Sequence, residues 1–329
     1  MALDPLRPDL FAPEHYWARA FPSRESRDDE LELLERLFPL SWRVETFGAS
    51  GPPRRKVHRL RDELRSNVGC TRLLDIAAAL RLLGAGPIPD DPASAWRIPL
   101  QGSLRYPSQY EHAWSEALVG VLLQPVGHVV WQPSRRRRGP RADYYVRHRV
   151  GQLVVEVKRI RVGRTTRALY DRRDAEWAGG KGWVLTAAER RECRERDIPR
   201  LYRRVRHAAG QLAASSADAR ELAPAEGRVP GVLFLDVDAN PPLLNLRRRL
   251  RRWSRRHEWA RAIDGVVAFN YRGHVDGRAG TVAQAIYIRK RRRSHEAMNA
   301  IFSAYPLCEL QQIHVGGLPD GPCTIPIGL

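Results

Sequence analysis

Between Gln152 and Ile160 the chain reads QLVVEVKRI, a run in which a carboxylate and an ammonium stand two residues apart in apolar surroundings. In an extended strand successive side chains point to opposite faces, so Leu153, Val155 and Val157 share one face while Val154, Glu156 and Lys158 share the other. A preceding strand, Ala142 to Arg147, is joined to this one by a tight turn around Val150 and Gly151. Antiparallel pairing across that turn puts Asp143 opposite or diagonal to Glu156 and Lys158, with cross-strand neighbours about 4.5 to 8 Å apart. Two acids and one lysine converge.

That set suits metal-assisted phosphodiester hydrolysis. Hard cations such as Mg²⁺ or Mn²⁺ take oxygen ligands, commonly one or two carboxylates with waters and substrate phosphate. Such an ion lowers the pKa of a bound water and stabilises charge on phosphoryl oxygens. A neighbouring lysine positions the water or neutralises the transition state, and arginine is no equivalent because lysine sheds its proton when desolvated. The tripeptide alone carries little: 37 acids and four lysines in 329 residues give about 0.45 acid-x-Lys matches by chance, and only Glu156-Val157-Lys158 matches. The weight lies in its context, an apolar strand behind a hairpin bearing Asp143 and a helix bearing Glu116. The ordinary alternative is a Glu–Lys surface pair on an exposed sheet, which contributes little stability.

These residues need elements to position them. Tyr110 to Leu123 (YEHAWSEALVGVLL) reads as a helix ended by Pro125 and Gly127, with a short strand, His128 to Gln132, behind it. Arg161 to Asp197 is charged and irregular in pattern, contains Gly179-Gly180-Lys181-Gly182, and reads either as a flap over a substrate or as a surface insertion. A helix near Pro199 to Ala214, a buried strand Val232 to Val237 and a basic helix around Leu244 to Ala262 follow. Strands Val266 to Asn270 and Ala283 to Arg289 finish the sheet. The expected fold class is α/β, a mixed central sheet flanked by helices.

Residues 1–102 read differently. Glu30 to Phe38 and Leu73 to Leu83 repeat apolar residues at helical spacing, and Gly48 to Pro53 and Gly84 to Pro92 break them. A mainly helical N-terminal region that binds substrate or a partner is expected ahead of a catalytic domain at 103–329. Its run RRKVHRLRDELRSN, Arg54 to Asn67, is either a basic recognition helix or a solvated helix face.

The balance of 56 basic against 37 acidic residues gives a formal charge of +19. A surface this basic attracts phosphate backbones, although 52 of the 56 are arginine, a bias that a GC-rich genome produces without function. The start, MALDPLRPDLFAPEHYW, lacks a signal-like apolar core and no long apolar stretch follows, so a cytoplasmic protein without membrane partners is expected. Cys70, Cys193, Cys308 and Cys323 are too scattered for a disulfide framework or a structural zinc site. No phosphate-binding loop ending in Lys-Ser or Lys-Thr, nucleophile elbow or H-E-x-x-H run is present, which removes the ATP motor, the serine hydrolase and the zinc protease as classes.

Taken together, Glu116 in a helix, Asp143 opening the second strand, and Glu156 and Lys158 in the third resemble the PD-(D/E)xK nuclease superfamily, whose restriction-endonuclease-like core runs helix, three strands, helix, strand. The likeness covers roughly residues 105–237. It implies that Asp143 and Glu156 bind Mg²⁺ or Mn²⁺, that Lys158 acts on the attacking water, and that Glu116 completes the acidic cluster. Ala142 stands where the family has proline, with Pro140 further back, and Glu111 competes with Glu116 for the helix role. His112, one turn before Glu116, lines the same cleft or covers the core. Gln211 lies on the later helix, where several branches of the superfamily keep a polar site residue; a capped or solvated glutamine is the alternative.

Basic clusters surround this core. Arg135, Arg136, Arg137 and Arg138 precede Asp143 and are placed to hold a phosphate backbone, Lys181 lies in the excursion, and Arg289 to Arg293 follow a strand. In Arg247 to Arg256 the apolar Leu246, Leu250 and Trp253 recur at helical spacing and leave arginines such as Arg248 and Arg252 outside. Trp177 and Trp183 are candidate stacking platforms for bases, against ordinary packing. The expectation is a divalent-metal-dependent nuclease acting on DNA in preference to RNA, in host defence or DNA processing, with a homodimer or larger assembly left open. A catalytically inactive nucleic-acid-binding or assembly protein on the same fold is the alternative.

Overall fold

Asp28, Asp29 and Glu30 open a helix that closes with Arg36, charges that complement the helix dipole, and a leucine stripe buries one side of it. This is α1 (Asp28–Leu37), followed by α2 (Leu40–Phe47), α3 (Arg59–Glu63) and α4 (Tyr110–Leu123). The computed structural model describes residues 4–11, 28–48, 58–64, part of 70–83, 103–123, 127–131, 141–148, 151–160, 163–176, 186–222, 229–237, 246–275 and 278–287. The chain divides into two compact units, whose main blocks are Met1–Pro125 and Val126–Tyr271, the first also taking Arg272–Thr281.

In the first unit two buried polar side chains organise the helices. The Arg43 guanidinium, fully buried, donates to the carbonyls of Phe38 (2.8 Å), Pro5 (3.2 Å) and Arg7 (2.7 Å) and to both oxygens of Glu35 (3.0 and 2.8 Å). It thereby fastens the segment around Pro5–Arg7 to α1 and α2. His58 caps α3: its Nδ1 accepts the Leu60 N–H at 3.1 Å, so its Nε2–H donates to the Leu104 carbonyl at 2.8 Å. The rings of Trp42 and Tyr110 lie 5.0 Å from it. Of the basic run Arg54 to Asn67, residues 58–64 are described, and Leu60 and Glu63 in this helix are buried. The rest of the run lies outside the described residues.

In the second unit β1 (His128–Trp131), β2 (Tyr144–His148) and β3 (Gly151–Ile160) form an antiparallel meander. Two helices, α5 (Arg164–Glu176) and α6 (Ala187–Leu222), then cross over to β4 (Gly231–Val237), parallel to β3. A second crossover, α7 (Leu246–Arg256) and a 3-10 helix (Glu258–Ala262), returns to β5 (Gly265–Val275), parallel to β4. With β6 (Arg278–Tyr287) the sheet runs in the order β1-β2-β3-β4-β5-β6, a mixed α/β architecture. Gly151, paired with His148, has φ 143°, a backbone state that suits glycine where the hairpin closes. Gly231 is required by proximity, because a Cβ there would meet the Ala262 carbonyl at 2.3 Å.

The excursion after β3 is more regular than its composition suggests, since α5 and the first turns of α6 fill most of it. Thr186 and Glu189 form a capping box at the start of α6: Thr186 N–H donates to the Glu189 carboxylate at 2.8 Å, and Glu189 N–H returns to Thr186 Oγ1 at 3.2 Å. Buried Asp197 of α6 accepts the Gly163 N–H (3.0 Å) and the Thr166 hydroxyl (2.9 Å) at the start of α5. Pro199 therefore lies inside a 36-residue helix and does not open it. One sheet face, with Tyr145, Val154, Leu233, Leu235 and Val266, packs against Leu201, Val205, Ala208 and Leu212 of α6 and Leu250 and Trp253 of α7. No helix among the described residues is long and apolar enough to cross a membrane.

Candidate active site

The hairpin register decides which side chains meet. Tyr144 pairs with Val155, and continuing that register by one position sets Asp143 directly opposite Glu156. Glu156 pairs with Leu233 and Lys158 with Leu235 on β4, so both charges share the face of Val154, Leu233 and Leu235 that α6 covers. Asp143, immediately ahead of β2, accepts the Val157 N–H through Oδ2 at 2.7 Å. Lys158 Nζ donates to Glu156 Oε1. Glu156 is fully buried and Lys158 only 5% exposed, so this pair is enclosed by protein.

The electrostatics follow from that enclosure. As a residue Asp143 keeps some solvent contact, yet its carboxyl group is crowded by protein atoms. Burial pushes its pKa up to about 6, against the opposing pull of the Lys158 charge and the Val157 N–H. Asp143 thus changes charge just below neutrality and is mostly ionised at pH 7, the form that takes a cation. In Glu156–Lys158 the two charges offset each other, which is what makes their burial sustainable.

A clamp from α6 sets the approach to Asp143. Ser215, fully buried, accepts the Ala142 N–H through Oγ at 2.8 Å. Gln211, one turn earlier, donates from Nε2 to the Arg141 carbonyl at 2.7 Å. Two side chains at i and i+4 on one helix therefore hold the two residues before Asp143. Gln211 is a glutamine capped on a backbone carbonyl and only partly exposed. Ser215 escaped sequence reasoning because a lone serine in an Ala-Ser-rich helix carries no motif; its spacing four residues after Gln211 was the only signal.

The other expected site residues lie on other elements or outside the described residues. Glu116 belongs to α4 in the first unit, where its carboxylate meets His112 Nε2 at 3.2 Å. Glu111 in the same helix is buried and lies 3.7 Å from Arg59. Arg248 and Arg252 are exposed on α7, while Leu250 and Trp253 face the core, as their spacing predicts. Arg135 to Arg138, Lys181, Trp177, Trp183 and Arg289 to Arg293 lie outside the described residues.

The donor set was tested for a divalent ion on its own chemistry. Among the described residues no group of three or more His, Cys, Asp or Glu gathers as metal ligands, which speaks against a closed all-protein cage. Asp143 and Glu156, set opposite each other by the register, are hard carboxylates, the donor type that Mg²⁺ or Mn²⁺ takes from protein. No protein-family model, curated protein or solved structure matches the chain. Its class rests on what the described elements define: a mixed α/β protein whose central sheet carries an Asp, a Glu and a Lys at one point.

Proposed function

We propose that this chain is a divalent-metal-dependent nuclease with a restriction-endonuclease-like core, hydrolysing phosphodiester bonds in DNA in a defence or DNA-processing setting. One observation carries the reading: Asp143, Glu156 and Lys158 converge on the β2–β3 hairpin, with Asp143 anchored to Val157 N–H at 2.7 Å. The element order α4, β1, β2, β3, α5, α6, β4 supports it, because the superfamily core runs helix, three strands, helix, strand, with α5 here as one further helix after β3. Asp143 and Glu156 would hold the ion, which when bound supplies Lewis acidity and a nucleophilic water.

The chain's own side chains do the rest. Val157 N–H fixes one oxygen of Asp143, and the Gln211–Ser215 clamp fixes the backbone ahead of it, so the carboxylate is oriented before substrate arrives. Glu156 holds the Lys158 ammonium, whose protons are then available to orient the attacking water or to stabilise charge on a non-bridging phosphoryl oxygen. In the reaction water oxygen bonds to phosphorus, the bond from phosphorus to the leaving oxygen breaks, and that oxygen takes up a proton.

A second reading, a catalytically silent nucleic-acid-binding or assembly protein, draws on the complete burial of Glu156, which suits a structural ion pair. One assay separates the two: supercoiled plasmid, linear duplex, single-stranded DNA and RNA are incubated with the full chain and Mg²⁺, Mn²⁺ or EDTA. Metal-dependent cutting of DNA is the outcome expected of the nuclease. Salt-dependent binding with no cutting under any metal is the outcome expected of the silent protein.

A further inference from the structure

Arginine is abundant everywhere in this chain, but its surroundings differ from place to place. On α5 and the first turns of α6 it is answered by acids: Arg173 meets Glu189 at 2.6 Å and Arg196 meets Glu192 at 3.0 Å. Arg36 likewise meets Glu32 on α1. The pattern stops at Asp197. From Ile198 to Ala217 α6 holds no acid, and α7 with His257 holds none either. Compositional bias toward arginine explains the number of these residues, not the withdrawal of carboxylates from two particular helices.

Both helices contribute to one core over one sheet face, Leu201, Val205, Ala208 and Leu212 from α6 and Leu250 and Trp253 from α7. Their opposite sides therefore point away from the sheet together. Arg203 and Arg206 of α6 and Arg248, Arg252 and Arg255 of α7 are all exposed there, while the Arg200 guanidinium is turned toward Gly163 beside Asp197. Seven residues of helix cover about 10 Å, and α6 and α7 meet through the 3-10 helix and the rings between them. Duplex DNA carries one negative charge per roughly 1.7 Å of its axis, about six over 10 Å counted around both strands, so several of them face such a surface at once.

An aromatic seam makes the two stripes one surface. Tyr202 of α6 lies 5.2 Å from Trp253, 5.4 Å from His257 and 5.5 Å from Trp259, in edge-on contacts. His257 stacks on Trp259 at 5.6 Å, and Trp259 Nε1–H donates to the Tyr202 hydroxyl at 3.4 Å. These rings are used against one another and lock α6 to α7. They are not held out as platforms for unpaired bases, which leaves the arginines as the recognition groups and phosphate as what they recognise.

We propose that the outer sides of α6 and α7 form a single phosphate-binding ridge that holds the backbone of duplex nucleic acid without reading its sequence. The choice of nucleic acid as the polyanion rests on the nuclease reading above; the charge and rigidity of the ridge do not. The test is equilibrium binding of the full chain to labelled duplexes of two unrelated sequences in EDTA, at several salt concentrations. The variants are Arg203→Gln with Arg206→Gln, and Arg248→Gln with Arg252→Gln and Arg255→Gln. Each is expected to weaken both duplexes equally, by about 10-fold or more, and to flatten the salt dependence by about 0.9 in slope for each phosphate no longer neutralised.

Affinity and slope unchanged in variants that keep the wild-type circular dichroism would overturn the ridge. So would tighter binding of single strands of the same length, an effect confined to one sequence, or equal affinity for polyglutamate of matched charge. Because binding is read in EDTA, a chain that binds but never cuts removes the nuclease reading and keeps the ridge. A chain that cuts while the variants bind normally does the reverse.

Discussion

His58 and Asp143 are both buried ionisable side chains, and in both burial favours the neutral form, yet the two units use that fact differently. Desolvation takes His58 down to about 4, with only the Leu104 carbonyl pulling the other way. Both of its ring nitrogens are bonded in the neutral state and aromatic rings surround it, so neutrality completes the structure of the first unit. Asp143 rises to about 6 for the same reason, but Lys158 and Val157 N–H hold it within reach of ionisation and it keeps an exposed edge. A neutral group with every bond made stabilises a fold; a nearly ionised group beside a lysine is suited to exchange protons and ligands.

The largest expected effect separates these roles. Asp143→Asn keeps an oxygen to accept the Val157 N–H but loses the charge, and is expected to lower DNA cleavage about a thousandfold with folding retained, measured under single-turnover conditions. Lys158→Ala is a poorer probe, because it leaves the buried Glu156 carboxylate without its cation and costs about 3 to 5 kcal/mol of stability. The pair Glu156→Gln with Lys158→Met removes both charges together and tests the same loss in a folded chain.

His58→Phe is next in size. The ring packing survives, but the Leu60 N–H and Leu104 carbonyl lose their partner, a loss of about 3 kcal/mol readable by urea unfolding. Cleavage by the folded fraction should not change. A matching loss of cleavage would erase the contrast between the two side chains.

Acid should move the two units in opposite directions. His58 has a folded pKa of about 4, below its ordinary 6.5, so the unfolded chain binds more protons and stability falls as pH drops through that window, by about 2 kcal/mol between pH 7 and 5. Asp143 has a folded pKa of about 6, above its ordinary 3.8, so its contribution grows over the same interval by about 1 kcal/mol and is lost as pH rises through 6. Hydrogen exchange in EDTA at pH 7 and 5 should show faster opening around α3 and slower opening around β2 and β3. A shift of the same sign in both places would contradict the assignment. Smallest of all, Ser215→Ala should cost about 1 kcal/mol by freeing the Ala142 N–H, with cleavage reduced through a weaker metal response more than through substrate binding.

Much of α4 and of the second unit was legible because their signals are local. The apolar run of Tyr110–Leu123 ends at Pro125 as a helix should, and the alternation in Gln152–Ile160 places Glu156 and Lys158 on one face in sequence and structure alike. Register carried Asp143 to Glu156 because the tight turn at Gly151 fixes how β2 pairs with β3. The Thr186–Glu189 capping box was equally readable, but the charged run around it concealed the helix it begins. Other features depend on distance in sequence. The cap of α5 comes from Asp197, and the clamp ahead of Asp143 from Gln211 and Ser215, about seventy residues away in the chain. Arg43 reads as an ordinary surface arginine until the carbonyls of Pro5 and Arg7 close over it.

The most direct test of the account is single-turnover cleavage of a supercoiled plasmid by the wild-type chain and by Asp143→Asn, each in Mg²⁺ and in EDTA. The account predicts nicking or linearisation by the wild type in Mg²⁺, none in EDTA, and a rate about a thousandfold lower for a variant with the same melting temperature. Cleavage by Asp143→Asn at the wild-type rate, or a wild type that leaves the plasmid intact with both Mg²⁺ and Mn²⁺, would contradict it.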